Sequence, residues 1–228
     1  MKRNQLLVSV RSMEEARQAW EAGVDFIDLK NPLQGSLGAL SVQEVSAIRQ
    51  AIPKIQKISA TVGDLPMDPD TLCNAILGMA VTDVDYIKVG FFPGGDWGSS
   101  LVLMKHLAGR GIPLIAVLFA EEGPPLPGWI ERLQQSGFMG VMLDTRLKNA
   151  GRLPELITPS DLASFVSQCQ SLGLLTGLAG SLRLEDLPAL RPLEADYLGF
   201  RGGVCHQHER TAALDPLRIH AVRQQLAT

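Results

Sequence analysis

Cysteine is scarce in this chain, and the absence is informative. Only Cys73, Cys169 and Cys205 occur, far apart and odd in number, which argues against a disulfide-framed secreted domain and suits a reducing cytoplasm. An excess of one charge is also missing. The net charge is −3 and the 21 lysines and arginines are scattered without a basic stripe, so no nucleic-acid partner is expected. No apolar run approaches the ~18 residues that a membrane span needs. The opening MKRNQLLVSV holds too short an apolar stretch for a leader and reads as a first strand. Aromatic residues make up 5%, with Trp20, Trp97 and Trp129 isolated and read as packing groups.

What is present is core-forming material. The chain is 46% hydrophobic and 20% charged over 228 residues, which suits one compact domain spanning residues 1–228. Short apolar runs recur at Leu6–Val10, Phe26–Leu29, Ile58–Val62, Tyr86–Phe91, Leu114–Phe119, Val141–Leu143, Leu174–Leu178 and Tyr197–Phe200. Helical patterns follow them, at Met13–Glu21, Val42–Ala51, Thr71–Met79, Ser99–Leu107, Gly128–Gln135, Ser160–Leu172 and Pro216–Leu226, with a short stretch, Leu184–Leu190, in the seventh interval. The runs do not alternate strictly, as expected of strands buried on both faces. Eight such units predict an α/β fold, a single (β/α)₈ TIM barrel; an open doubly wound sheet is the competing arrangement.

A barrel of this kind carries its chemistry at the C-terminal ends of its strands. Strand two ends Ile27-Asp28-Leu29-Lys30, and alternation puts Asp28 and Lys30 on one face. With Ile27 and Leu29 against the helices, that face is the barrel interior. The same parity turns Lys88 inward on strand four and sets Asp144 at the tip of strand six, with Lys148 just beyond. Only seven lysines occur, so three near strand ends stand out. A structural ion cluster with Asp28 and Asp144 is one reading, because buried charges are costly unless paired or used. The other is covalent chemistry. A lysine attacks a carbonyl only as the free amine, and both desolvation and a neighbouring ammonium push its pKa from about 10.4 toward neutrality.

Two glycine-rich loops follow the last strands: Gly177-Leu178-Ala179-Gly180-Ser181 and Gly199-Phe200-Arg201-Gly202-Gly203. Loops after strands seven and eight are the usual phosphate site of such barrels, where backbone N–H groups approach an anion. Gly180, Ser181, Gly202 and Gly203 are therefore expected to bind substrate phosphate, with Arg201 adding a fork of donors. Cys205-His206-Gln207-His208 lacks a second ligand pair, and no metal is expected. Asp64 lies at the tip of strand three and is either part of the site or a helix cap.

These residues carry a family resemblance. The runs LLVSV, IDLKNPLQGSLGAL, SATVGDLP, DYIKVG, LDTRLKNAG, GLAGSL and YLGFRGGVC resemble the (5-formylfuran-3-yl)methyl phosphate synthases of methanofuran biosynthesis, also called 4-(hydroxymethyl)-2-furancarboxaldehyde-phosphate synthases, over nearly the whole chain. The resemblance implies a cofactor-free (β/α)₈ lyase that condenses two glyceraldehyde 3-phosphates into the furan phosphate, releasing one phosphate and water. It implies that Lys30 forms the Schiff base with Asp28 beside it, that Lys88 is the acid/base lysine, and that Asp144 and Lys148 support catalysis. Where the family continues Asp-Gly after that last lysine, this chain has Asn149-Ala150-Gly151. Another Schiff-base aldolase of phosphosugars, or a non-catalytic barrel binding a phosphorylated metabolite, are the rival functions. The expected partner is a triose phosphate, with self-association left open.

Overall fold

The computed structural model describes residues 4–147 and 150–227. Eight strands close into a parallel barrel in chain order: β1 (Gln5–Val10), β2 (Phe26–Leu29), β3 (Lys57–Thr61), β4 (Tyr86–Gly90), β5 (Leu114–Phe119), β6 (Gly140–Asp144), β7 (Leu175–Leu178) and β8 (Tyr197–Phe200), the last pairing with the first. The helices between and after them are α1 (Met13–Glu21), α2 (Val42–Ala51), α3 (Pro69–Ala80), α4 (Trp97–Gly109), α5 (Trp129–Gln135), α6 (Leu153–Leu156), α7 (Pro159–Ser171), α8 (Leu187–Leu190) and α9 (Pro216–Ala227). Closure, rather than an open sheet, leaves no unpaired edge.

Strand ends depart from the apolar runs by one residue at most. Helix starts depart more, and capping explains it. Asp68 accepts a hydrogen bond from the Thr71 N–H and Pro69 opens the first turn, so α3 begins two residues before the periodic pattern. Asp96 does the same for α4 through the Ser99 N–H. Ser41 and Glu44 form a reciprocal capping box on α2. The one helix without a sequence signal is α6, a single turn in the loop after β6.

Alternation sorts the strand side chains into two packed shells. Ile27, Leu29, Ile58, Ala60, Ile87 and Val89 lie outside the barrel, buried beneath the helices. Leu7, Phe26, Ile115, Met142 and Tyr197 fill its interior. Truncating one of the larger aliphatic groups to alanine costs about 2–5 kcal/mol in a shell this dry. Toward the N-terminal end the Phe26 ring lies 5.3 Å from Tyr197 and 6.3 Å from Tyr86, forming an aromatic floor. Gly177 is needed there, since a Cβ would overlap the Tyr197 ring. Register then sets Ser9, Asp28 and Ser59 side by side across β1, β2 and β3, a polar layer above that floor. Trp97 and Trp129, remote in sequence, pack at 5.3 Å with Phe91 beside both. Among the described residues no helix is long and apolar enough to cross a membrane.

Candidate functional site

A cavity of about 590 Å³ opens at the C-terminal end of the barrel, lined by residues that include Leu7, Ser9, Lys30, Ser36, Asp144, Ala179, Gly180, Ser181, Gly202 and Arg210. Its wall comes from β1, the loops after β2, β6 and β7, and the segment after β8. Of the residues expected from sequence, Lys30, Asp144, Gly180, Ser181, Arg201 and Gly202 meet on this wall. Asp28 and Lys88 do not line it; they lie beneath, in the polar layer. Lys148 falls outside the described residues.

The two inward lysines have different surroundings. Lys30 stands just past the end of β2, with its side chain 12% exposed and its Nζ 3.8 Å from Asp144 Oδ2. That contact is too long for a hydrogen bond, so the amine is held loosely at the cavity wall. Burial pushes the Asp144 carboxyl above the ordinary range, and the Lys30 charge only partly offsets it. Lys88 is sealed in, with side-chain exposures of 2% on both sides of its 2.9 Å contact with Asp28 Oδ1. The contact is an ion pair without hydrogen-bond alignment, since the buried Nζ finds no aligned acceptor among the described residues. The ammonium also stands 5.7 Å from the centre of the Tyr197 ring.

Charge in this layer is decided by competition. Burial drives the Lys88 pKa down; the Asp28 carboxylate opposes this and loses, so the amine titrates below its usual range. For Asp28, burial pushes up, but Lys88, Lys30 and the Ser59 hydroxyl together outweigh it and hold the carboxyl low. Ser59 Oγ donates to Asp28 Oδ1 at 2.6 Å and Ser9 Oγ donates to Oδ2 at 2.9 Å. Asp28 is thus fully solvated by protein groups, while Lys88 is not.

The glycine loops separate into two behaviours. Gly180, at φ +113°, lies where a Cβ would strike Thr145, and Ser181 follows in the left-handed region at φ 52°. That turn aims backbone at the cavity. Gly202 also lines it. Two of the expected residues have other surroundings. Gly203 is set back from the cavity lining, and a Cβ there would overlap the Leu182 carbonyl. Arg201 has no donor left for an anion: Nε donates to Arg210 O, Nη1 to Ser9 O and Glu15 Oε2, and Nη2 to Glu15 Oε1 and Ala212 O. It is a buried brace between β8, β1 and α1.

Arg210 is not among the residues expected from sequence, because a loop arginine ten residues beyond a strand gives no signal of its own. It lines the cavity, and its Nη2 donates to Pro32 O and Gly35 O, so it clasps the loop after β2. Asp64 holds the other side of that loop, accepting from the Ser36 N–H at 2.9 Å and the Leu37 N–H at 2.6 Å. It is a loop anchor rather than a helix cap. In the Cys205–His208 stretch the cysteine is buried, His206 faces Asp215 and His208 faces Arg218.

Comparison with known proteins adds to this geometry. A family model described as 4-HFC-P synthase matches residues 6–223. A (5-formylfuran-3-yl)methyl phosphate synthase of Methanocaldococcus jannaschii is 37% identical over 216 residues, covering 90% of this chain and 92% of that protein. The protein of the same name from Methanopyrus kandleri is 35% identical, covering 97% of each. Among solved structures, 3-hexulose-6-phosphate synthase from Salmonella typhimurium superposes with a TM-score of 0.70 at 17% identity, covering 98% of each chain; at that identity the match shows the barrel alone.

Proposed function

The chain belongs to the 4-HFC-P synthase family and is an enzyme, and from that premise we propose that it condenses two molecules of glyceraldehyde 3-phosphate into 4-(hydroxymethyl)-2-furancarboxaldehyde phosphate through a Schiff base on Lys30. One observation carries the assignment of the nucleophile: of the two inward lysines, Lys30 alone lines the cavity, its nearest ion-pair partner among the described residues being Asp144 at 3.8 Å. A carbonyl entering the cavity meets its amine directly. Asp144, whose carboxyl pKa burial raises, is placed to give a proton to the hydroxyl that leaves as the imine forms. The backbone turn at Gly180–Ser181, with Gly202 across from it, supports the reading of this end as the phosphate seat.

Imine formation turns the carbon next to the former carbonyl acidic, and loss of its proton gives an enamine. The enamine expels the phosphate carried β to the former carbonyl carbon, and the resulting fragment joins the second triose before ring closure and dehydration. Two trioses bring two phosphates and the furan keeps one, so mass balance releases one inorganic phosphate and two waters. The Lys88–Asp28 pair, dry and lacking an aligned acceptor on the amine, serves as the acid/base store for the oxygen- and nitrogen-bound protons moved in these steps. The reaction makes a precursor for a methanofuran-type carrier.

The test uses pure protein and glyceraldehyde 3-phosphate alone. Near-ultraviolet absorbance of a conjugated furan aldehyde and free phosphate should rise together, one phosphate per furan. Consumption of substrate with neither signal would overturn the synthase reading and favour a simple aldolase.

A further inference from the structure

The acid/base lysine and its carboxylate partner lie below the cavity, so protons must cross one layer of protein to reach them. Ser9 is the residue that spans it. Its backbone is pinned by the Arg201 Nη1 bond to Ser9 O at 3.0 Å, and its register partner on β2 is Asp28. It lines the cavity, while its hydroxyl donates to Asp28 Oδ2 at 2.9 Å; the far oxygen, Oδ1, faces Lys88 Nζ at 2.9 Å. Neither Asp28 nor Lys88 lines the cavity.

We propose that the Ser9 hydroxyl conducts protons between groups bound in the cavity and the buried Lys88–Asp28 pair. In the forward step an N–H or O–H of the bound group, such as the ammonium formed when Lys30 adds to a carbonyl, breaks toward Ser9 Oγ. The existing Ser9 O–H bond breaks toward Asp28 Oδ2 in the same event, each electron pair staying on the atom that loses the proton. The bound group ends one proton poorer and the pair one proton richer, whether the hydrogen rests on Asp28 or on the Lys88 amine. The reverse step returns it when a hydroxyl leaves as water. Carbon acids are not asked to react with Ser9, since hydroxyl relays work fastest between oxygen and nitrogen atoms.

Ser59 supplies the control. Its hydroxyl donates to the same carboxylate, at 2.6 Å on Oδ1, from a residue just as buried, yet it does not line the cavity. Both serines polarise Asp28, and only Ser9 reaches substrate. The proposal rests on the Lys30 reading above, so the experiment reports on both. Full-length wild type, Ser9→Ala, Ser9→Thr and Ser59→Ala are assayed with glyceraldehyde 3-phosphate for furan formation, and Lys30 is trapped with borohydride in parallel. Ser9→Ala should lower kcat by about 100-fold or more, within the range of a lost proton-transfer path, with KM little changed and a shifted acid limb in the pH profile. Ser9→Thr, which keeps a hydroxyl, should recover most of the rate, and Ser59→Ala should lose only a few-fold. Equal losses in Ser9→Ala and Ser59→Ala, or a near wild-type Ser9→Ala, would overturn the relay. Should Ser9→Ala not fold, the wild-type rate measured across mixtures of light and heavy water decides: a curved dependence supports two protons in flight, and a linear one refutes it. Wild type giving neither furan nor a Lys30 adduct would instead sink the parent reading.

Discussion

Two lysine–carboxylate pairs stand one above the other in this barrel, built from the same residue types and placed to do different work. The upper pair, Lys30 and Asp144, is loose at 3.8 Å and borders the cavity. The lower pair, Lys88 and Asp28, is tight at 2.9 Å and sealed. Depth makes the difference. At the cavity wall the 3.8 Å separation leaves the amine loosely held, and a carbonyl can displace the partner. In the dry layer desolvation dominates, driving the amine toward its neutral form despite a carboxylate in contact. A nucleophile needs access and a proton store needs isolation, and on the proposed mechanism the upper pair meets the first need and the lower pair the second.

The sharpest way to break the comparison is to remove each amine in turn. Lys30→Ala should cost about three orders of magnitude or more in kcat, as loss of a covalent nucleophile does. Its thermal unfolding midpoint should stay near wild type, because the ion pair lost among the described residues is a loose one at 3.8 Å. A collapse of stability would mean that the upper pair is structural. Lys88→Arg should lower kcat by about 10²–10⁴-fold with KM little changed, since a guanidinium does not give up its proton near neutral pH. Activity within a few-fold of wild type would reduce Lys88 to a fixed cation.

Asp28→Asn sharpens the contrast through pH. Burial pushes the Lys88 pKa down and the Asp28 charge pushes it back up. Removing that charge lets the amine fall further, so it stays neutral to lower pH. The acid limb of kcat/KM, set by protonation of Lys88, should therefore move to lower pH, although the height of the profile drops. A limb that moves upward or stays fixed contradicts the assignment. The smallest effect on catalysis is expected from Glu15→Gln, which takes a charged partner from buried Arg201. Stability should fall by about 3–5 kcal/mol, read by denaturant titration, while KM holds nearly constant because the Arg201 donors are already engaged by protein acceptors. A strongly raised KM with intact stability would restore Arg201 to the site.

Much of this was legible before any coordinates. Strand parity is binary, so the inward placing of Asp28, Lys30, Lys88 and Asp144 follows once the apolar neighbours are assigned to the helices. Ser9 could have been found the same way, as the lone hydroxyl in LLVSV on the face shared with Leu7. Depth was not legible, because it depends on how strands stagger around a closed barrel. Nothing in the spacing of Lys30 and Lys88 says which one meets solvent. The engagement of Arg201 was hidden for a similar reason. An arginine amid glycines suits a phosphate, and only the fold reveals that Glu15, 186 residues away, already holds it. The surroundings of Gly203 were hidden likewise, its need for a bare Cα coming from the Leu182 carbonyl on a neighbouring loop.

The division of labour between the two lysines comes down to where a covalent bond forms. Wild-type enzyme incubated with glyceraldehyde 3-phosphate, reduced with borohydride and digested for mass spectrometry reports it directly. The account predicts a substrate-derived adduct on the peptide carrying Lys30, with Lys88 unmodified. An adduct on Lys88 with Lys30 untouched would contradict it, because the sealed amine would then be the nucleophile.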